Sequence, residues 1–228
     1  MDSLRQFRDI GSRYLSKANE TRKGLPSFLV AQVESLTVRL SKARTVQQAF
    51  NVGDQLPADV DLVTPAGDKI NLLELSRTKP VILVFFRGGW CPFCSLELDF
   101  FVEATDMLKG LGAELIAVSP LPDSATTELI TSKNIKFTVI GGPTGVKLIQ
   151  RFGLHYTALE DLVGGLKGIG LDLTELYQTQ EVLLPIAASY VINTQGEVAY
   201  GFVEEDFSYR GGVDELAAAV VRTQRARE

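Results

Sequence analysis

The chain has 228 residues, 45% of them hydrophobic and 22% charged, with a net charge of −5. These are the proportions of an ordinary globular protein with room for one substantial domain. They exclude a membrane span, since an apolar run such as Val81–Phe86 is far too short, and an acidic body repels nucleic-acid phosphates. Two cysteines and one histidine exclude a secreted disulfide framework and a four-ligand zinc site.

In chain order, Leu4, Phe7, Ile10, Tyr14, Leu15 and Ala18 recur at helical spacing and predict a helix over residues 3–20. Gly24 and Pro26 break it, and a second helix is expected from Ser27 to about Ala43. Within residues 1–45 nine Lys or Arg stand against four acids, net +5, which leaves −10 for the rest. Without a basic cluster this reads as a helical arm on its own acidic domain or on a second copy, a homodimer, ahead of a dock for an anionic partner. Asp2 and Asp9 speak against a mitochondrial transit segment and Met1–Arg5 lacks a signal-peptide core, so a reducing, cytoplasmic setting is expected. Pro57, Pro65 and Gly67 mark a loop or short hairpin before the globular body. The expected division is a helical extension over 1–50 and an α/β domain over 51–228.

From there strands and helices alternate. Val81–Phe86 is an apolar run of strand length, and Pro92–Lys109 follows as a helix with Phe93, Leu96, Phe100, Ala104, Met107 and Leu111 along one side. Glu97, Asp99, Glu103, Asp106 and Lys109 are expected outside that stripe. Gly110-Leu111-Gly112 ends the helix, Glu114–Ser119 is the next buried strand, and Asp123 is placed to cap a helix through Ser132. Phe137–Ile140 is a strand, a short helix runs through Phe152, and Tyr156–Tyr177 reads as a glycine-interrupted helical insertion. Ser189–Asn193 and Glu197–Val203 flank Thr194-Gln195-Gly196 as a hairpin. A last helix is expected from Val213 to about Arg222. The order predicts an α/β fold, a central sheet with helices on both faces.

The chemistry concentrates at Trp90-Cys91-Pro92-Phe93-Cys94, which uses both cysteines of the chain. With Cys91 as N-cap, Pro92 takes the first helical position, where its missing N–H costs nothing. The free amides of the first turn then face the Cys91 sulfur, and Cys94 shares its helix face. Cα atoms so spaced lie roughly 5–6 Å apart, within disulfide reach. A fall in thiol pKa from about 8.5 to about 7, driven by amides and helix dipole, makes about half the thiol reactive at neutral pH. Lower intrinsic nucleophilicity returns roughly fivefold of that gain, so a partner thiol held close matters more than faster attack.

A structural disulfide gains little from so small a loop, a zinc half-site lacks further ligands, and a pair of inert core thiols is the plainest alternative. Redox work requires the sulfurs to reach water and to face each other. Gly88-Gly89 is read as the tight turn that brings Cys91 to the surface. Trp90 reads as packing at a strand end, with shielding of the pair as its functional alternative. His155 is read as a surface or packing residue.

Four segments, Val52–Pro57, Phe85–Cys94, Gln150–Leu154 and Ala188–Asn193, carry a resemblance. Together they resemble the peroxiredoxin-like branch of the alkyl hydroperoxide reductase/thiol-specific antioxidant family over about residues 50–222, and only the segment around Cys91 is highly specific. The resemblance implies a thioredoxin-like fold with a central mixed sheet. It implies a thiol-dependent antioxidant enzyme acting on a hydroperoxide, or a dithiol exchanger acting on a disulfide, with thioredoxin or glutathione as reductant. The catalytic pair would be Cys91 and Cys94, supported by Arg87, Trp90, Pro92 and Pro185. No cofactor and no metal are expected.

Two features depart from the family pattern. Typical peroxiredoxins carry Pro-x-x-x-Thr-x-x-Cys around the attacking thiol; laid on Cys94, this puts Cys91 at the Thr and Arg87 at the Pro. In the thioredoxin frame Cys91 attacks and Cys94 resolves, the assignment the helix start favours, with swapped roles second. Nine residues before the hairpin Gly196 stands Ala187, where thioredoxin relatives tend to have a cis-proline and typical peroxiredoxins an arginine. Pro185 is two residues away. A cationic donor for the polarised peroxide must then come from Arg87 or Arg210, and Arg210 is read as an ordinary surface charge. Behind the antioxidant enzyme stand a general exchanger, a redox-responsive binding protein without turnover, and a specialised biosynthetic enzyme.

Overall fold

Three helices, α1 (Asp2–Lys23), α2 (Ser27–Lys42) and α3 (Thr45–Gln48), precede the first strand in the computed structural model, which describes residues 2–225. On α1 the residues Phe7, Ile10, Tyr14 and Ala18 are all buried, the stripe their spacing predicts. β1 (Asp61–Val63) and β2 (Lys69–Asn71) form the short hairpin expected around Pro65 and Gly67. An unforeseen helix, α4 (Leu72–Thr78), follows because Asn71 caps it, its side chain accepting the Glu74 amide at 3.0 Å. β3 (Val81–Phe85), α5 (Pro92–Gly110), β4 (Glu114–Val118), α6 (Asp123–Ser132), β5 (Thr138–Ile140) and α7 (Gly142–Arg151) then alternate as predicted. In α6 the N-cap is Pro122 and Asp123 is the first helical residue, where its charge still suits the dipole.

The segment after α7 corrects the expectation of one interrupted helix over Tyr156–Tyr177. His155–Thr157 is a strand, β6, followed by α8 (Glu160–Gly168) and α9 (Leu173–Leu176), and β6 pairs antiparallel with β7 (Leu183–Pro185). The reason is local. His155 and Thr157 are exposed and Tyr156 between them is buried, a period of two. Gly170, at φ 92°, lets the chain turn after α8, and Asp172 caps α9 through the Thr174 and Glu175 amides. β8 (Ala187–Ile192), β9 (Val198–Glu204) and α10 (Val213–Arg225) complete the order, the first two as the expected hairpin.

Five strands form one mixed sheet in the order β5-β4-β3-β8-β9. β3, β4 and β5 are parallel, whereas β8 runs antiparallel to both β3 and β9. Every residue of β3 and β8 is buried, so both faces of the sheet are covered at its centre. α1, α5 and α10 pack against one another, α10 also on β8 and β9, and α7 packs on β4 and β1. Among the described residues no helix is long and apolar enough to cross a membrane. The turn into α5 leaves the carboxyl end of the central strand, which is where open α/β sheets place their sites.

Candidate active site

The dithiol sits where β3 gives way to α5. Cys91 is the N-cap, in extended backbone, and Pro92 occupies the first helical turn, as the sequence predicts. The Ser95 amide donates to the Cys91 carbonyl at 2.9 Å, the first bond of the helix. The cysteines are not joined, and each acts on the other's titration, one helical turn apart. The neighbouring Cys94, aided by Arg87 and Arg210 and opposed by burial, pushes the Cys91 thiol down to about 5. Burial, together with the charge on Cys91, pushes Cys94 up. These opposite shifts favour a pair that shares one proton.

The expectation that Cys91 reaches the surface fails, and with it the access to water that redox work requires. This conformation is closed and matches the alternative of core thiols, so turnover needs the site to open. Cys91 is 1% exposed and Cys94 0%. Gly88 and Gly89 serve close packing instead: a Cβ on Gly88 would stand 2.8 Å from the Trp90 ring, and one on Gly89 2.7 Å from Leu129 Cδ1. Trp90 Nε1 donates to the Tyr177 hydroxyl at 2.9 Å, and that hydroxyl donates to the Arg87 carbonyl at 2.6 Å. The end of α9 is thus tied to the loop that precedes the cysteines. Trp90 is an anchor at the strand end, as its packing reading implies.

Two arginines lie beside the sulfurs, Arg87 at 2% and Arg210 at 8% exposure. Reading Arg210 as a surface charge is corrected: its Nη2 donates to Cys94 Sγ at 3.1 Å. Its Nε stands 3.2 Å from Glu97 Oε2 in an ion pair whose alignment makes no hydrogen bond. The cause is tertiary. The segment between β9 and α10 folds back on the start of α5, and the residues on that face of α5 are buried by it. Glu97, expected in water, is one of these and is 3% exposed. Burial pushes its carboxyl up to about 8 against the pull of Arg210. Arg87 stacks on Phe207, its guanidinium carbon 3.5 Å from the ring centroid, and lies 5.9 Å from that of Tyr156. Its Nε and Nη2 have no partner.

Tyr14 from α1 and Tyr156 from β6 bring two more buried hydroxyls without partners. Among the described residues ten buried side-chain N or O atoms lack a partner, and seven of them belong to Tyr14, Arg87, Glu97, Tyr156 and Arg210. All five side chains act electrostatically on the sulfurs or on one another. Native structures leave few such atoms, and these are concentrated around the two sulfurs. Tyr14 and Tyr156 carry no sequence signal. For Glu97 the one available signal is its spacing, three residues beyond Cys94 and on the same helix face. Pro185 lies on β7 opposite His155, two residues before the start of β8 at Ala187. His155 is exposed.

Comparison with known proteins bears on the family and the fold. Residues 52–201 match the model of the AhpC/TSA family. The structure is similar to that of peroxidoxin BcpB from Mycobacterium tuberculosis, with 18% identity and a TM-score of 0.57 over 78% of this chain and 99% of that one. It is also similar to reduced Prx3 from Vibrio vulnificus in complex with hydrogen peroxide, with 20% identity and a TM-score of 0.58 over 75% and 99% of the two chains. For Xanthomonas campestris peroxiredoxin Q the values are 13% and 0.55, over 79% and 99%. At such identities the likeness establishes a shared fold, the thioredoxin-like one expected. Tyr14 and Arg210 both fall outside the residues that match the family.

Proposed function

Because the chain belongs to the AhpC/TSA family, we propose that it is a thiol-dependent peroxidase in which Cys91 and Cys94 cycle between dithiol and disulfide. The observation that carries this reading is the cysteine pair at a helix start with the buried Arg210 donating to Cys94 Sγ at 3.1 Å, joined by a second buried guanidinium, Arg87, whose Nε and Nη2 have no partner. In the first step the Cys91 thiolate attacks a hydroperoxide oxygen. An S–O bond forms, the O–O bond breaks, and the departing alkoxide takes up a proton and leaves as an alcohol. The guanidiniums supply positive charge where the leaving oxygen becomes negative. The Cys94 sulfur then attacks the Cys91 sulfenic acid, the S–S bond closes and water leaves. A thioredoxin-type dithiol, or glutathione, restores both thiols by exchange.

Burial bears on the choice of substrate. A small peroxide needs only a side-chain displacement to meet a sulfur so nearly sealed, whereas exchange with a protein disulfide needs the Phe207 segment to lift. That difference favours a hydroperoxide over a protein disulfide as the oxidising substrate. Regeneration by a protein reductant needs the larger opening. Swapped thiol roles form the second reading, favoured by the Arg210 hydrogen bond to Cys94.

Intact-mass analysis after one equivalent of hydrogen peroxide tests both. Wild type is expected to lose two hydrogens as the disulfide closes. Cys94→Ser should gain one oxygen on Cys91 and Cys91→Ser should stay unoxidised. The opposite pattern assigns attack to Cys94. A protein that neither oxidises nor consumes peroxide with reductant present is no peroxidase, and redox-responsive binding would take precedence.

A further inference from the structure

A small cavity lies on the α1 side of the site. It offers about 10 Å³ to a water-sized sphere and is lined by Tyr14, Glu97, Phe100, Phe101, Gly211 and Val213. That is about the room a single water needs. The only polar side chains in its wall are Tyr14, 5% exposed, and Glu97, and neither the hydroxyl nor either carboxyl oxygen has a hydrogen-bond partner. The Tyr14 ring is fixed edge-on against Phe100, with centroids 5.6 Å apart and planes at 84°. Glu97 Oε2 at least has Arg210 Nε at 3.2 Å; leaving the Tyr14 hydroxyl and Glu97 Oε1 bare would cost about 2 kcal/mol or more by the usual penalty for unmade buried hydrogen bonds.

We infer that one ordered water occupies this cavity and bridges Tyr14 to Glu97, which makes α1 a working part of the charge network running through Glu97 and Arg210 to Cys94. Tyr14 acts here as a positioning residue. The catalytic meaning of the bridge rests on the peroxidase reading; the water itself does not.

The groups facing Glu97 are Arg210 from the segment after β9, Cys94 on its own helix, and Tyr14 from α1. Burial raises the Tyr14 hydroxyl, so it stays protonated and donates. The water passes that hydrogen bond on to the carboxyl group and favours its ionised form. While Glu97 is neutral, the whole charge of Arg210 serves the sulfur; once Glu97 ionises, the charge is shared. Tyr14 therefore lowers the pH at which sharing begins.

Carboxyl carbon-13 NMR of the full chain tests this, with the Glu97 signal identified by its loss in Glu97→Gln. Wild type should titrate near about 8. Tyr14→Phe keeps the ring and its packing, and should move that midpoint up by roughly half a unit to one unit, the worth of one neutral hydrogen bond. An unmoved midpoint overturns the bridge. A crystal structure with water density within hydrogen-bond reach of both side chains supports it; an empty cavity, or Tyr14 bonded straight to the carboxyl, overturns it. Neither readout uses peroxide, so failure of the peroxidase reading is a separate outcome.

Discussion

Arg87 keeps a full charge out of water with an aromatic ring, not a carboxylate, as its nearest company. A buried guanidinium without an anion is costly, and Arg87 acts electrostatically on the Cys91 thiol. Its charge helps hold that thiol low, after the larger effect of Cys94. Arg87→Leu should therefore raise the pH at which thiolate absorbance appears by about one unit or more, the usual effect of losing a close opposite charge. Peroxide consumption at neutral pH should slow with it. An unmoved midpoint would assign Arg87 to packing alone. Arg87→Lys should fall between the two, since it keeps the charge and loses the planar stack on Phe207. Of these contacts the sequence showed only that Arg87 lies four residues before Cys91. Its rings come from β6 and from the segment after β9, which no local pattern could reveal.

Among the elements, the segment from Phe207 to Arg210 lies against the dithiol, with Arg210 bonded to Cys94 and Phe207 edge-on to Phe93, so its lifting is the expected route to an open site. It is pinned by α1: Arg22 Nε donates to Ser208 Oγ at 3.0 Å and Nη2 to the Ser208 carbonyl at 3.1 Å, with the guanidinium 4.3 Å from the Tyr209 ring centroid. Charged hydrogen bonds contribute about 1.5–3 kcal/mol when buried, and partial exposure reduces these to about 1–2 kcal/mol in all. Arg22→Ala should thus raise the local opening equilibrium, and with it the alkylation rate of the native dithiol, by roughly tenfold. An unchanged alkylation rate would mean that opening occurs elsewhere, at the Trp90–Tyr177 side.

Legibility at this scale followed the range of the interactions. β3, the start of α5 and the β8–β9 hairpin were readable because a buried run, a proline at the first turn and Thr194-Gln195-Gly196 are local signals. β6 was missed because three residues give a weak period, and the insertion's glycines suggested a broken helix. Arg210 and Glu97 were misplaced because the bond that buries Arg210 spans 116 positions of sequence.

Over the whole molecule, two buried titrations pull stability in opposite directions. The Glu97 carboxyl is raised from 4.5 to about 8. Over that window the native state holds a proton that the unfolded chain has released, so its contribution is complete below 4.5 and is lost as pH rises to about 8. The Cys91 thiol is lowered from 9.0 to about 5, so its contribution is complete above 9.0 and is lost as pH falls to about 5. Each slope is about 1.4 kcal/mol per pH unit, and between about 5 and about 8 they oppose each other. Wild-type stability from urea unfolding is expected to be nearly flat there. Glu97→Gln should unmask the thiolate, so that stability climbs with pH across this window, and Cys91→Ser should unmask the carboxyl, so that stability declines. Parallel profiles for all three proteins would show that neither group titrates out of its ordinary range, and the single shared charge at the centre of the site would have to be abandoned.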